Sequence, residues 1–323
     1  MIPQEWLLEA EKRIRPTALV TPITEDPRRG IFLKWENRQM TGSFKLRGAL
    51  NKVLSLKPWE RERGLVTCSA GNHGQGVAVA ARQTGSRVIV FASNHAVPAK
   101  LEAMQHLGAE IRLVDGGYAL AEKTARNFAE TEGKTFISPY NDVQVIAGQG
   151  TIGLELSRQL PEIGSSWEVY IPVGGGGLLS GIASWFVSVD SKPRIIGVQS
   201  EASPYFNALF TRGSQEGVVE TESIADGLAG EVEAGSVTIP LVRRLADEVR
   251  LVTEEDIINA IRLCWQEYGE RIEGSAAAAL AAAVKSQDPE LTKVVIISGG
   301  NIQPEMFVQI CGGIEHSPQA GVS

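Results

Sequence analysis

The segment VYIPVGGGGLLSG, from Val169 to Gly181, decides the fold. A run of apolar and β-branched residues ends in four consecutive glycines, and a helical pattern begins directly after them. Without side chains, the backbone N–H groups can converge on one anion, and the start of a helix adds a partial positive charge there. A tight turn needs fewer glycines than this. The segment therefore predicts a phosphate site between a strand and a helix, although it matches neither the dinucleotide nor the Walker pattern.

Two further glycine clusters also follow predicted strands. TCSAGNHGQG (residues 67–76) opens a predicted helix, so its backbone amides can hold a carboxylate. VVIISGGN (residues 294–301) ends a buried strand in Ser298, whose hydroxyl is well placed for a ligand at the carboxyl end of that strand. A capped helix start and a plain strand-to-helix turn are the respective alternatives, and a lone His73 is more often a structural hydrogen-bonding residue.

A fourth cluster, TGSFKLRG (residues 41–48), predicts a helix that Ser43 caps. Lys45 then lies in the first turn, where a cation opposes the helix dipole. A lysine there is unfavourable unless the protein uses it, and a covalent bond to an aldehyde would remove its ordinary ammonium character. A solvated lysine is the alternative.

Short β-branched runs alternate with longer helical patterns along the chain, which predicts an α/β fold with mostly parallel sheets. Several of the runs are apolar throughout, as expected where helices cover both faces of a sheet. The predicted strands are Gly64–Thr67, Arg87–Phe91, Glu110–Val114, Glu168–Pro172, Arg194–Gln199, Glu248–Val252 and Lys293–Ser298. The predicted helices are Gln4–Ile14, Ser43–Leu56, His73–Arg82, Pro98–Leu107, Leu120–Glu132, Gly148–Leu160, Leu178–Val187, Glu254–Tyr268 and Ala276–Lys285.

Composition excludes several classes of protein. A formal net charge of −7 and the lack of a basic run argue against nucleic-acid binding. The longest apolar run, residues 276–284, is too short to cross a membrane. The N-terminus has no basic region followed by an apolar one, and the three cysteines are widely spaced, so we expect a cytoplasmic protein without disulfides or a zinc site.

In order and spacing, the four clusters resemble the serine/threonine dehydratase family of pyridoxal-phosphate enzymes, which have the tryptophan-synthase-β-like fold (fold type II). The resemblance covers residues of about 20–302 and includes LGAE at 107–110, VIAGQGTIG at 145–153 and IADG at 224–227. It implies two domains, each with an open, mostly parallel twisted sheet covered by helices. Residues 1–62 and 143–323 would form a large domain, and residues 63–142 a small mobile domain.

The resemblance also implies a role for each residue of a site that binds pyridoxal 5′-phosphate. Lys45 would form the Schiff base with the cofactor, and Asn72 would hydrogen-bond the ring hydroxyl. Phe44, Gly227 and Ser298 would lie near the ring, with Ser298 facing its nitrogen. The phosphate would be bound by the backbone of Gly174, Gly175, Gly176, Gly177 and Leu178. The substrate carboxylate would be bound by Ser69, Ala70, Gly71, Asn72 and His73.

The implied reaction is β-elimination of a small β-hydroxy amino acid, L-threonine and/or L-serine, to a 2-oxo acid and ammonia by a homodimeric lyase. Two departures from the family pattern, Trp35-Glu-Asn-Arg and Glu273-Gly-Ser, leave a bulkier substrate such as phenylserine or hydroxyaspartate as an alternative. An amino-acid racemase is a further alternative, although Ala70 replaces the serine that racemases of the family carry. A cofactor-binding but inactive protein and a nucleotide-binding module are disfavoured by the presence of both Lys45 and Ser298. Gln199 and Tyr205 replace the two carboxylates with which some relatives bind a divalent metal, so we expect no such site.

Overall fold

The computed structural model describes residues 1–314 apart from Glu162, Gly164, Ser165, Ser191, Gln287, Pro289 and Glu290. Within them the chain forms one six-stranded and one four-stranded sheet, and helices pack on both, so the predicted α/β fold is confirmed. The strands are β1 (Ile23–Asp26), β2 (Ile31–Trp35), β3 (Leu65–Cys68), β4 (Val88–Ser93), β5 (Glu110–Val114), β6 (Thr135–Phe136), β7 (Trp167–Pro172), β8 (Arg194–Ser200), β9 (Glu248–Val252) and β10 (Thr292–Ile297). The helices are α1 (Gln4–Ile14), α2 (Lys45–Ser55), α3 (Pro58–Glu62), α4 (Asn72–Thr84), α5 (Pro98–His106), α6 (Tyr118–Thr131), α7 (Val143–Gln159), α8 (Gly177–Phe186), α9 (Tyr205–Arg212), α10 (Thr238–Leu245), α11 (Glu254–Tyr268), α12 (Gly274–Lys285) and α13 (Pro304–Cys311).

The six-stranded sheet has the order β1-β2-β10-β7-β8-β9 and is parallel except for β1. Its central strands β7 and β10 are almost entirely buried, which explains their continuous apolar sequences. Val295 of β10 lies opposite Leu33 on one side and Tyr170 on the other. Because parallel strands end at one edge, the tetraglycine segment after β7 and Ser298 after β10 leave the sheet at the same edge.

The four-stranded sheet has the order β5-β4-β3-β6 and is entirely parallel. Strand β3 leads directly into the loop 69–71, and β6 leads into residues 137–140. These two connections therefore leave neighbouring strands at one edge of the second sheet. The sheet lies within the segment predicted as a small domain, but the domain boundaries themselves stay a prediction.

Helix α2 carries Lys45 and packs against α4 and α7 with almost no side chain between the backbones. A Cβ atom added to Gly148 of α7 would lie 2.6 Å from the carbonyl oxygen of Arg47, and one added to Gly76 of α4 would lie 3.2 Å from that of Lys45. Glycine is required at such close approaches because any larger residue would push the helices apart. These contacts fix the first turn of α2 relative to both sheets.

All the predicted strands are confirmed to within two residues at each end, and all the predicted helices are present. The largest difference is α7, which begins at Val143 instead of Gly148 because the Asp142 carboxylate accepts the N–H groups of Gln144 and Val145. The prediction missed β1, β2, β6, α3, α9, α10 and α13, most of which are short elements that show no clear periodicity.

The predicted cap of α2 is wrong. Phe44 occupies the N-cap position, and no side chain caps the helix. Ser43 instead pairs with Gly299 through its backbone, and the Phe44 N–H donates to the Ser298 carbonyl at 3.0 Å. The start of α2 is therefore tied to the end of β10, which brings Lys45 and Ser298 together.

A cluster of buried charges anchors the other side of α2. The Arg47 guanidinium contacts Glu36 at 2.7 Å and Glu155 at 2.6 Å, and the Lys34 ammonium contacts Glu155 at 2.6 Å. All four side chains are at most 7% exposed. Because each charge has a partner, the cluster joins β2, α2 and α7 without leaving a buried charge unpaired.

None of the helices in the described part of the chain is long and apolar enough to cross a membrane.

We expect the substitution Arg47→Met to lower the free energy of unfolding by about 3–5 kcal/mol, because it leaves Glu36 and Glu155 buried without their shared cation. The measurement is urea unfolding followed by circular dichroism. Lys285→Met is the matched control: it removes the 59%-exposed partner of Asp256 and should cost at most about 1 kcal/mol. Equal small losses in both variants would contradict the anchoring role of Arg47.

Candidate active site

Lys45 is the first residue of α2, and its side chain is half-buried. Its Nζ donates a hydrogen bond to the Pro139 carbonyl at 3.0 Å and lies 5.2 Å from the centre of the Phe44 ring. Burial lowers the pKa of Lys45 to about 8, although the nearby Glu273 carboxylate acts in the opposite direction. A substantial neutral fraction therefore exists near pH 7–8, as a nucleophile or a general base requires.

The tetraglycine segment forms a cradle at the start of α8. Gly176, with φ of 82°, is the N-cap residue, and the helix begins at Gly177. Within the described residues, the backbone N–H groups of residues 174–179 donate to no other group of the protein. Several unused N–H donors at a helix N-terminus form an anion site.

Side chains on the glycines would close this cradle. A Cβ on Gly174 would lie 2.9 Å from the Gly227 carbonyl oxygen, and one on Gly177 would lie 3.0 Å from Cβ of Tyr140. A Cβ on Gly175 would overlap the Tyr140 ring. The cradle is thus directly beside Tyr140, the residue after the Pro139 carbonyl that Lys45 contacts, and beside Gly227.

Asn72, the first residue of α4, is held by side chains from two other segments. Its Nδ2 donates to both carboxylate oxygens of Glu273, at 2.8 and 3.1 Å, and its Oδ1 accepts from Asn301 Nδ2 at 2.7 Å. Gly227 is connected to the same region because its N–H donates to Ser275 Oγ at 3.1 Å. The amide of Asn72 is therefore close to the end of β10 and the start of α12.

The loop 69–71 and His73 complete the site on the side of the four-stranded sheet. The Gly71 N–H donates to Ser69 Oγ at 3.1 Å, and His73 Nε2 lies 3.1 Å from the Ile137 carbonyl. Burial lowers the pKa of His73 to about 3, and the positive charge of Lys45 acts in the same direction. A histidine that is neutral at physiological pH and bonded to the backbone does not act as an acid there. Ala70 presents only a methyl group.

Together these contacts bring the predicted residues into one place. Phe44 joins Lys45 to Ser298, residues 139–140 join Lys45 to the tetraglycine cradle, and the cradle touches Gly227. Sequence reasoning did not assign a role to five other residues that shape the site, namely Lys100, Pro139, Tyr140, Glu273 and Asn301. Of these, Asn301 stood in the cluster VVIISGGN and Glu273 in a departure from the family pattern, whereas Lys100, Pro139 and Tyr140 carry no motif.

Gln199 and Tyr205 take no part in the contacts described above. The Gln199 side chain accepts the Asn207 N–H at 3.0 Å, and Tyr205 begins α9. Among the described residues no group of three or more His, Cys, Asp or Glu side chains could hold a metal ion. The lack of a divalent site stays a prediction.

The arrangement fits a cofactor that carries both a phosphate and an aldehyde. The unused N–H groups of the cradle suit the phosphate, and the amine of Lys45 with its lowered pKa suits an imine bond. The absence of side chains at Gly174, Gly175 and Gly177 keeps the backbone accessible. The residues present therefore fit pyridoxal phosphate, as the family resemblance implied.

Comparisons with known proteins agree. Residues 11–300 match the family model described as pyridoxal-phosphate dependent enzyme. An L-threonine ammonia-lyase of Thermotoga maritima is 39% identical over 96% of this chain and 78% of the relative. The processed form of threonine deaminase isoform 2 from Solanum lycopersicum superposes with a TM-score of 0.86 at 30% identity, covering 95% of this chain and 93% of that one. A serine racemase from Dictyostelium discoideum superposes with a TM-score of 0.83 at 34% identity, covering 94% and 99%.

We expect Gly175→Ala to weaken cofactor binding at least about tenfold, because the added methyl overlaps the Tyr140 ring and displaces the cradle. The measurement is a fluorescence titration of the apo-protein with pyridoxal phosphate. Gly117→Ala is the control, since its φ is −76° and a Cβ there would have no atom within 4 Å. If Gly175→Ala bound as tightly as Gly117→Ala, the cradle would not be the phosphate site.

Proposed function

The chain belongs to the family of pyridoxal-phosphate-dependent enzymes, and we propose that it catalyses β-elimination of a β-hydroxy amino acid, L-threonine and/or L-serine, to a 2-oxo acid and ammonia. The observation that carries the proposal is the half-buried amine of Lys45, whose pKa is lowered to about 8 and which contacts the Pro139 carbonyl beside the anion cradle. The similarity to a threonine ammonia-lyase and a threonine deaminase supports the same reaction class.

In this proposal each part of the site has a binding role. Lys45 holds the cofactor covalently, and the backbone N–H groups of Gly174 to Leu178 bind its phosphate. Asn72 donates a hydrogen bond to the ring hydroxyl, Phe44 packs near the ring, and the Gly227 backbone lies close to it. The loop of Ser69, Ala70 and Gly71, with Asn72 and His73, binds the substrate carboxylate.

Lys45 also acts as the general base for the proton on Cα of the substrate. With substrate bound, the neutral Lys45 amine would remove the proton from Cα. Pyridoxal phosphate, when bound, takes up the electron pair that this proton leaves behind. The proton taken from Cα and the β-hydroxyl would together be lost as one water, and the enamine product would tautomerise and take up one water to give the 2-oxo acid and ammonia.

Ser298 favours elimination over transamination. It faces the ring nitrogen in this proposal, and a hydroxyl does not hold a proton on that nitrogen as a carboxylate would. A long-lived carbanion is then unfavourable, and prompt loss of the β-hydroxyl is favoured. The contact between the Phe44 N–H and the Ser298 carbonyl supports this placement because it fixes Ser298 next to the start of α2.

Two alternatives differ in reaction or substrate. A racemase is favoured by the similarity to a serine racemase of solved structure, but Ala70 lacks the hydroxyl that a second acid on the other face of the substrate needs. A bulkier β-hydroxy amino acid stays open because residues 35–38 and 273–275 depart from the family pattern. A 2-oxo acid assay with L-threonine, L-serine, their D-forms, phenylserine and 3-hydroxyaspartate separates these alternatives.

We also propose that residues 63–142 move as a unit and close on the bound carboxylate, excluding water. The separate four-stranded sheet supports such a unit. Lys100, on α5, contacts Asp226 next to Gly227 at 3.1 Å and so joins residues 63–142 to the rest of the chain at the site.

A homodimer and a cytoplasmic location are proposed from the family resemblance, and light scattering tests the dimer.

We expect Lys45→Ala to lower turnover at least about 1,000-fold, since it removes both the covalent anchor and the general base. The measurements are 2-oxo acid release and the visible absorbance of the bound cofactor. Lys12→Ala, at an exposed lysine of α1, is the control and should retain full turnover. Dehydratase activity that survives in Lys45→Ala would contradict the assignment.

We expect Ala70→Ser to raise the rate of L-serine racemisation at least about tenfold, because the new hydroxyl can exchange a proton on the face opposite Lys45. Chiral chromatography of the remaining serine measures it. Ala70→Gly alters the same position without adding a hydroxyl and should show no gain. A gain in both variants, or in neither, would disprove the role given to this position.

A further inference from the structure

The Asn72 amide is part of a chain of hydrogen bonds that has a fixed direction. Asn301 Nδ2 donates to the Thr41 carbonyl at 2.8 Å and to Asn72 Oδ1 at 2.7 Å. Asn72 Nδ2 then donates to Glu273 Oε1 and Oε2. The chain therefore runs between two acceptors, a backbone carbonyl and a carboxylate.

The two terminal acceptors determine which atom of each amide is nitrogen and which is oxygen, an assignment that an isolated asparagine leaves open. A carbonyl oxygen can only accept, so the atom of Asn301 that faces Thr41 must be nitrogen. The atom of Asn72 that faces this nitrogen must be oxygen, and its own nitrogen must face Glu273. Turning the Asn72 amide over would place donor against donor at Asn301 and acceptor against acceptor at Glu273.

Two glycines provide the space that this chain occupies. A Cβ on Gly299 would overlap Glu273 Oε1, and one on Gly42 would lie 2.5 Å from Asn301 Oδ1. Gly42 also has a φ of 70°, which side chains rarely tolerate. The glycine backbone thus leaves room for both ends of this chain of hydrogen bonds, at Glu273 and at Asn301.

Glu273 experiences opposing electrostatic influences. Burial raises the pKa of Glu273 to about 7, and the Asp226 carboxylate acts in the same direction. Three influences lower this pKa: the hydrogen bond from Asn72, the charge of Lys100 and a hydrogen bond from the Asn301 backbone. The amine of Lys45, on α2, is attracted to the same carboxylate. His73, on α4, has a pKa that burial lowers to about 3, so it is neutral near pH 7.

We propose that Glu273 is a positioning residue for the cofactor: with Asn301, it orients the Asn72 amide so that an N–H faces the ring hydroxyl. This inference rests on the proposed function, because it takes Asn72 as the residue that contacts the ring. The second N–H of Asn72 Nδ2 is available to the ring once the first is held by the carboxylate. Protonation of Glu273 weakens that hold, since a charged acceptor bonds more strongly than a neutral one.

The test measures cofactor affinity of the apo-protein against pH, together with the absorbance maximum of the bound cofactor. The variants are Glu273→Gln, which keeps an acceptor oxygen and removes the charge, and Glu273→Ala, which removes both. Glu255→Gln is the control because Glu255 is an exposed carboxylate in the first turn of α11. Unfolding midpoints are measured for all four proteins.

The wild type and Glu255→Gln should bind the cofactor more tightly as the pH rises from 6 to 8, because Glu273 ionises and Lys45 loses its proton across this range. Glu273→Gln should keep only the Lys45 contribution, so that its pH dependence is shallower than that of Glu255→Gln, and it should bind about tenfold more weakly at pH 8; Glu273→Ala should bind more weakly still. The absorbance maximum should shift in both Glu273 variants. Wild-type affinity and pH dependence in Glu273→Gln would overturn the proposal, and so would weaker binding explained fully by a lower unfolding midpoint with an unchanged spectrum.

Borohydride reduction followed by peptide mass spectrometry separates this proposal from the proposed function. The reduced cofactor should be found on Lys45 in the wild type and in both Glu273 variants. A cofactor that is absent from Lys45 in the wild type would overturn the proposed function. A cofactor on Lys45 in every protein, with affinities equal across them, would overturn only the role of Glu273. Should Glu273→Gln not fold, Glu273→Ala takes its place, and wild-type affinity with wild-type pH dependence in that variant would overturn the proposal.

Discussion

The backbone-to-backbone packing of α2 against α4 and α7 is the constraint on which the site depends. Lys45 can reach the Pro139 carbonyl only because Gly76 and Gly148 let these helices approach the first turn of α2. The Arg47 cluster holds the same turn, and the pairing of Ser43 with Gly299 holds the segment just before the helix. The lysine is thus placed by three independent contacts, which leave its amine little freedom beyond its own side-chain rotations.

This placement also sets the chemistry of the amine. A lysine at the start of a helix is repelled by the dipole and, when half-buried, loses hydration, and both effects favour the neutral form. Its only hydrogen bond in the described structure is to a neutral carbonyl, and the nearby Glu273 carboxylate only partly offsets burial. The fold therefore supplies a lysine whose pKa is lowered to about 8 by burial, which increases the neutral fraction of the amine.

The sequence was sufficient for the main strands, and three of the four glycine-rich clusters follow such a strand; that Lys45, Asn72, Ser298 and the tetraglycine cradle belong to one site was implied by the family resemblance. It was not sufficient for Tyr140 and Pro139, which act through a ring edge and a backbone carbonyl that any residue could supply. The cap of α2 was wrong for a related reason. A serine before a helix is a common cap, but here the Ser43 backbone pairs with Gly299, a residue 256 positions away, and local sequence contains no information about that partner.

The glycine content of 34 residues in 323 has more than one physical origin. Around the tetraglycine cradle, missing side chains expose N–H donors to a ligand. At Gly48, Gly148, Gly150 and Gly181 they allow helices to touch, and at Gly42 and Gly299 they make room for the side chains that orient Asn72. These three uses predict different consequences of substitution: loss of ligand affinity, loss of stability, and misdirection of one amide. A glycine-rich composition alone therefore does not indicate a phosphate site. What indicates one here is that three features lie together: N–H groups without a partner among the described residues, a half-buried lysine with a lowered pKa, and a directed chain of amide hydrogen bonds.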